Sequence, residues 1–351
     1  MSEDVWSAQD TNPDAIEAAL RDLLRRRHAE SEHLAPARVL NLVVILDRDW
    51  KGEISNRLER VGRYHASRTV VCVVEAGRTT LDATATVTFQ DPGPGKLGVI
   101  RELVEIELGP GHLDALQTIV DPVLASEMPT VAWSPHGYDD AVRRLLPLID
   151  VLLLDSDDQP DPAEAFARAG DLCADVYIVD LAWLRTTPWR ERLAASFDLH
   201  SRLQFLSRVR ELEVRHQESS TASALLLAGW LASRLGWEQA PVVPRDDGDL
   251  VATVGRDSGS VTVRLRSESQ RAPGLGGVTV ICEDGPDLSL QRGAGGLDAR
   301  EVTPDGEERR WKILGASRGE GGILGEGVRQ ALLRDPTYNP ALRAAQELCP
   351  Q

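Results

Sequence analysis

The chain has little of what a membrane, a nucleic acid or a metal site would require. No hydrophobic run reaches membrane-spanning length: the most apolar stretch, STASALLLAGWLASRLGW at 220–237, is broken by serines and Arg234, and reads as a buried helix. Positive charge is scarce, with 39 Lys and Arg against 55 Asp and Glu and a formal net charge of -16. That surplus repels phosphate backbones and anionic lipid, so no nucleic-acid or membrane partner is expected and any anion site has to be local. The four cysteines (Cys72, Cys173, Cys282, Cys349) stand far apart with no CxxC spacing, and MSEDVWSAQD carries no apolar signal-peptide core. A cytoplasmic chain with free thiols is the expectation. Seven histidines form no HxH, HExxH or Cys/His cluster, so no metal is expected.

What is present is a chain of 351 residues, 42% hydrophobic, long enough for two domains with cores of their own. NPDAIEAALRDLLRRRHAE opens it as a helix, with Asn12 as cap, Pro13 at the first position and Ile16, Leu20, Leu23 and Leu24 on one stripe. The closing run Arg25, Arg26, Arg27, His28 either compensates the negative helix end or docks a partner. RVLNLVVILD and RTVVCVVEA read as buried strands around a helix with Ile54, Leu58 and Val61 on one side, a βαβ unit with parallel strands. TTLDATATVTF and VIRELVEIEL alternate like a half-exposed hairpin.

From residue 112 a βα rhythm returns: a short helix at LDALQTIV, strand PTVAW, helix DDAVRRLLPL, strand DVLLLDS, helix DPAEAFARA, strand DVYIVDL. TPWRERLAASF reads as a helix capped by Thr187 with Pro188 at its first position, and SRVRELEVRH as a strand. Beyond Trp237, short valine-rich strands follow PVVPRDDGD, and SRGEGGILGEG leads into a last helix, GVRQALLRD. The expected fold class is α/β: an open, mostly parallel mixed sheet with flanking helices in the N-terminal two-thirds, then a smaller, mostly antiparallel β-rich domain. The expected divisions are a helical segment 1–37, an α/β domain 38–238 and a β-rich domain 239–351 ending in a helix.

Four constellations compete for function. In DPGPGKLG, Gly93, Gly95 and Gly98 spell GxGxxG. The segment that follows alternates as a strand instead of opening a helix, and Pro94 removes an N–H, so a hairpin turn is expected and no dinucleotide. In RLERVGRYHASRT, Arg57, Arg60, Arg63, His65 and Arg68 form a local positive patch; it either binds an anion or acidic partner, or pairs with nearby glutamates. Trp133, Ser134, Pro135, His136 and Gly137 follow a strand, but with no GxSxG elbow and with Ser and His two apart, no catalytic residue is assigned. In DLAWLRTTPWRERLAASFD, Trp183, Arg185, Trp189, Arg190 and Arg192 are the residue types of binding hot spots, or else of a core.

That fourth stretch also carries a resemblance. Together with ARVLNLVVILD, RLERVGRYHASRTVVCVVE, TIVDPVLASEMPTVAWSPHG, VLLLDSDDQPDPAEAFARA and LLLAGWLASRLGW, it resembles the OpcA family, the glucose-6-phosphate dehydrogenase assembly proteins, in its actinobacterial form. The ordered blocks run from about residue 10 to 237, with a weaker echo in SRGEGGILGEGVRQALLRDPTY. The resemblance implies a non-catalytic factor that promotes assembly or activation of the NADP-dependent dehydrogenase opening the oxidative pentose phosphate pathway. The dehydrogenase is then the partner, and the cofactor belongs to it. Redox control through thiols, linked to the family in some lineages, does not transfer: Cys72 sits in an apolar strand and Cys173 at a helix end, with no resolving pair. The candidate contacts are Arg57, Arg60, Arg63, His65, Arg68, Trp183, Arg185, Trp189 and Arg190. The rival reading is a phosphosugar-binding or hydrolytic enzyme using Arg63, His65 and Arg68.

Overall fold

The computed structural model describes residues 2–30, 38–62, 67–90, 99–135, 137–198, 200–257, 259–314 and 320–350. They divide into two units, the first of residues 1–154, 175–179 and 324–332, the second of 155–174, 180–323 and 333–351.

In the first unit, β1 (Ser2–Ala8) precedes α1 (Pro13–Glu30), and β2 (Leu40–Asp47) is followed by α2 (Lys51–Gly62) and β3 (Ser67–Val74). Then come β4 (Asp82–Gln90), β5 (Val99–Leu108), α3 (Leu116–Val120), β6 (Thr130–Trp133), α4 (Asp139–Leu145), β7 (Val151–Leu154) and β8 (Tyr177–Asp180). The eight strands make one sheet in the order β1-β4-β5-β3-β2-β6-β7-β8. Pairing is parallel from β5 through β3, β2 and β6 to β7, and antiparallel where β4 meets β1 and β5. The centre of a parallel sheet is covered on both faces. Accordingly Leu40–Leu46 of β2 is buried at every position, whereas β4 buries only its alternate residues Ala83, Ala85 and Val87.

α1 begins as its sequence dictates, with the Asn12 Oδ1 accepting the Ala15 N–H at 3.0 Å and Ile16, Leu20 and Leu23 buried. Arg27, near its end, donates Nε to Asp4 of β1 at 2.8 Å. The basic run therefore contributes one side chain to an internal pair, and the N-terminal segment is more than a helix, since β1 extends the sheet. Strand β1 has no long apolar run to announce it. It exists because β4 offers an unpaired edge, and it is registered there from Ser2↔Phe89 to Ala8↔Ala83.

DPGPGKLG, 91–98, lies outside the described residues. Its flanks pair antiparallel to the last residue, Gln90↔Val99, so the strands on either side of the glycines are consecutive arms of a hairpin, as expected from their alternation.

The second unit holds α5 (Pro162–Leu172), α6 (Leu181–Phe197), α7 (His200–Leu206), β9 (Val209–Gln217) and α8 (Thr221–Leu235). Strands β10 (Val243–Pro244), β11 (Leu250–Arg256), β12 (Gly259–Glu268), β13 (Leu275–Cys282), β14 (Asp287–Gly293), β15 (Gly296–Val302) and β16 (Glu308–Leu314) follow. Next in the chain are α9 (Glu320–Gln330), which from Leu324 on belongs to the first unit, and α10 (Tyr338–Leu348) of the second. Their sheet runs β10-β11-β12-β9-β13-β14-β15-β16, antiparallel except for the β12–β9 pair.

Fold class and strand character agree with the sequence, but the domain edge does not fall at 238. β9 is the middle of the second sheet, bonded to β12 on one side and β13 on the other, and α8 packs on it. The PVVPRDDGD stretch is a connection inside the second unit. A boundary drawn from composition follows the change to valine-rich strands, whereas β9 joins them through hydrogen bonds to residues about fifty positions further on.

Helix α6 also starts earlier than expected. Asp180, not Thr187, is its cap, accepting the Ala182 N–H at 3.0 Å, and Pro188 lies inside the helix. Proline there deprives the Leu184 carbonyl of its donor. Side chains steady the same turn: Thr186 Oγ1 donates to the Trp183 carbonyl at 2.7 Å, and Arg190 donates to Thr186 and Thr187 at 2.9 and 3.0 Å. A final helix, α10, lies beyond the one expected at the C-terminus. It packs against α8 and α5.

Candidate functional site

The arginine patch is only partly describable. Arg63 and His65 lie outside the described residues, and of Arg60 the backbone in α2 is described. Arg57, on the same helix, places its guanidinium 5.4 Å from the Trp133 ring centroid and 3.8 Å from Glu53. Arg68 is buried: its Nε donates to Glu102 at 2.7 Å and a terminal nitrogen to the Val123 carbonyl at 3.0 Å. Glu102 occupies an inward position of β5 between Ile100 and Val104, and also accepts from Arg38. A carboxylate at such a position requires cations beside it, and Arg68 is one of them.

An open α/β sheet ordinarily receives its ligand where the strand order reverses, outside the C-terminal ends of the strands. Here that point lies between β2 and β6. Tyr138 donates its hydroxyl to Asp47, the last residue of β2, and Ser134 donates to the Gly137 carbonyl. Burial and the Asp47 carboxylate hold the Tyr138 phenol above its usual range. Tyr138 itself has φ +61, in the left-handed region that non-glycine residues seldom adopt. Ser134 is thus engaged with its own loop; His136 lies outside the described residues. The neighbouring cavity of about 390 Å³ is lined by Asp114, Asp139 and Asp140, a lining that disfavours phosphate.

The Trp/Arg segment folds inward within the second unit. Trp183, Arg185 and Trp189 are buried. Trp183 donates its indole N–H to Asp335 at 2.9 Å, and Arg190 lies 3.5 Å over its ring centroid. Tyr338 of α10 approaches the same ring at 5.7 Å. Desolvation lowers the Arg190 guanidinium to about 10, against the opposing pull of Asp335 and Glu191. These side chains tie α6 to the 335–338 turn, the arrangement of a core.

One polar cluster escaped the sequence reading. Asp155 and Asp157 converge on Arg185, and Asp180 lies in the field of Asp155. Arg185 reaches both oxygens of Asp155 at 2.7 Å and one of Asp157 at 3.4 Å. Asp157 accepts from the Ser223 N–H and hydroxyl at 2.9 and 2.6 Å. Asp180 accepts from the Ser156 N–H and hydroxyl at 3.1 and 2.6 Å, and from the Tyr338 hydroxyl at 3.1 Å. Asp157 and Asp180 are both buried in the field of the Asp155 carboxylate, so burial and its charge push protons onto these two. Burial, then Asp155, raises Asp157 well above the carboxylate range, and the same causes raise Asp180 to about 6. The sequence signal was available: an acidic residue ending each of two neighbouring apolar strands, in VLLLDS and VYIVDL. The cluster has no substrate-sized opening among the described cavities, and its geometry is that of a structural lock.

Cys72, Cys282 and Cys349 are buried and Cys173 half-buried, and none is disulfide-bonded among the described residues. Burial raises Cys72 and Cys349 to about 12 and Cys173 and Cys282 to about 11. Among the described residues no group of three or more His, Cys, Asp or Glu is arranged to hold a metal, and no helix is long and apolar enough to cross a membrane.

Fold and site define an α/β protein of two units, each built on an eight-stranded sheet, in which Trp183 with Arg190, and Asp155 and Asp157 with Arg185, are bonded to one another inside the second unit. Residues 58–171 match the family described as the N-terminal domain of a "Glucose-6-phosphate dehydrogenase subunit", and residues 176–342 match the family described as the C-terminal domain of that same subunit. The chain belongs to the OpcA family of glucose-6-phosphate dehydrogenase assembly proteins. Its relatives include OpcA of Synechococcus elongatus, 32% identical over 42% of this chain and 34% of the relative. OpcA of a Synechocystis species is 29% identical over 36% of this chain and 28% of its own length; both are named for the OxPP cycle. The matched stretch is thus about a third of the length of these relatives. An oxidoreductase from Bacillus cereus of known structure aligns over 56% of this chain and 80% of its own at 11% identity, with a TM-score of 0.35. That likeness is too loose to bear on fold or chemistry.

Proposed function

We propose that this chain is a non-catalytic assembly and activation factor for glucose-6-phosphate dehydrogenase, acting in the oxidative pentose phosphate pathway by protein–protein binding in the cytoplasm. The observation that carries the reading is the consecutive match of residues 58–171 and 176–342 to the two domains described for a subunit of that dehydrogenase. A binding protein changes an enzyme's rate only by preferring one of its conformations or oligomers, and it shifts that population by the difference in affinity. A tenfold preference corresponds to about 1.4 kcal/mol.

With Trp183, Arg185, Trp189 and Arg68 enclosed, the contact is assigned to the α2 end of the arginine patch, at Arg57 and Arg60 and the following Arg63 and His65. On a chain of net charge -16 a local run of basic residues steers an acidic partner surface into register. The test is to titrate the purified chain into the dehydrogenase while following mass by light scattering and rate by NADPH formation. A heavier species with a changed rate is expected. No complex, or turnover by the chain alone, would overturn the reading, and a complex with unchanged rate would reduce it to a scaffold.

A further inference from the structure

The faces of the last two strands differ in how their charges are balanced. On one face, Arg300 pairs with Glu308 at 3.1 Å, Arg310 with the same Glu308, and Lys312 with Asp298 at 3.5 Å. Every cation there has a carboxylate. The opposite face carries Glu301, Arg309, Trp311 and Ile313, because Glu301 faces Arg309 and Ala299 faces Trp311 across the β15–β16 ladder.

There a groove of about 380 Å³ opens between the strands and the ends of α6 and α7, lined by Arg192, Ser196, Arg202, Glu301, Arg309 and Trp311, among others. Its one carboxylate is already engaged: Arg202 reaches both oxygens of Glu301 at 2.8 Å and the Ser196 carbonyl at 3.2 Å. Arg309 stands 5.6 Å from the Trp311 ring centroid and has no carboxylate partner among the described residues. Nor has Arg192, whose Nε is buried without a hydrogen-bond partner among them. Three guanidinium groups thus share one carboxylate around a concavity with an apolar floor, in a chain that is otherwise strongly acidic. Like charges around a concave wall focus a positive potential into it. Guanidinium forks match phosphate oxygens, and the volume falls within the usual range of small-ligand sites, roughly 300–1,000 Å³.

We propose that this groove binds a small phosphate ester, with Arg309 and Arg192 on the phosphate, Arg202 fixed beside them by Glu301, and Trp311 and Ile313 against the ester's carbon skeleton. The site is distinct from the arginines of α2 and does not depend on the dehydrogenase reading, since binding is measured on the chain alone.

The experiment is isothermal titration of the full chain with ribose 5-phosphate, ADP and inorganic phosphate, repeated on Arg309→Ala, Arg192→Ala and Lys312→Ala, each verified as folded by its unfolding transition. Saturable binding of at least one ester is expected, at least tenfold weaker in Arg309→Ala and in Arg192→Ala and unchanged in Lys312→Ala. Preference for ADP over ribose 5-phosphate would identify a nucleotide as the source of the phosphate, and the reverse a sugar. The proposal fails if no ester binds saturably, if inorganic phosphate binds as tightly as both esters, if binding survives Arg309→Ala, or if polyglutamate binds while the esters do not.

Discussion

Arg185 grips Asp155 through two parallel hydrogen bonds of 2.7 Å, with both side chains buried. Removing the guanidinium leaves Asp155 and Asp157 facing each other without a cation in a medium that cannot solvate them. Breaking a buried pair in this way costs about 3–5 kcal/mol. Arg185→Ala is therefore expected to lower the urea unfolding free energy by that order. Arg185→Lys, which keeps the charge but loses the fork, should recover part of it. A loss below about 1 kcal/mol in Arg185→Ala would show that the cluster is not a lock.

Asp180 makes stability depend on pH in a definite direction. Its folded-state pKa is raised to about 6 by burial and by Asp155, against about 3.9 for an unfolded aspartate. Between those values the folded chain holds more protons than the unfolded one. Stability from this group is therefore fully present below about 4 and lost as pH rises through about 6, with Asp157, raised by the same causes, extending the loss upward. Asp180→Asn keeps an acceptor for the Ser156 and Ala182 N–H groups and carries no charge. Urea midpoints measured from about pH 4.5 to about 7.5 should fall less steeply for the variant than for the parent. Parallel slopes would refute the assignment.

Gly229 should reverse an ordinary rule. Alanine inside a helix is usually favoured over glycine by about 1 kcal/mol. Here a Cβ at position 229 of α8 would lie 2.5 Å from the Ala341 carbonyl oxygen and 2.7 Å from the Ala345 nitrogen of α10. Both are backbone atoms, so the helices must part. Gly229→Ala is expected to destabilise by about 1–3 kcal/mol in urea denaturation. A stabilised variant would mean that α8 and α10 are not in contact there.

The thiols should be slow. With Cys72 and Cys349 raised to about 12 and Cys282 to about 11, thiolate is scarce near neutral pH and access is closed. Native protein mixed with DTNB should react at least about a hundredfold slower than a free thiol. Half-buried Cys173 should go first, a phase that Cys173→Ser removes. Two or more thiols reacting at the free rate would reopen thiol-based control.

Much of the fold was written in local pattern. Continuous apolar runs such as LNLVVILD placed the buried parallel strands, and alternation placed the β4–β5 hairpin across glycines that spelled a cofactor motif. Helix α8 followed from the predominantly apolar run at 220–237. Where the reading went astray, local pattern was ambiguous. VYIVDLAWLR is one apolar run that changes from strand to helix at Asp180, and periodicity has no marker for that change. Thr187 and Pro188 offered a start signal that a helix already running had overridden.

By itself the sequence determined most of the strands and helices, though not β1, α7, α10 or the start of α6, together with the two kinds of sheet and the family, because these depend on neighbours along the chain or on ordered blocks of residues. Tertiary structure decided what those elements do with their side chains. It set β9 at the centre of the second sheet by pairing it with β12 and β13. It enclosed Trp183, Arg185 and Trp189, which composition marked equally well as contact or core. It gathered Asp155 and Asp157 around one arginine with Asp180 in the field of Asp155, and left Arg192 and Arg309 around a groove with too few carboxylates. Burial and charge balance are sums over atoms distant in sequence, so no local window contains them.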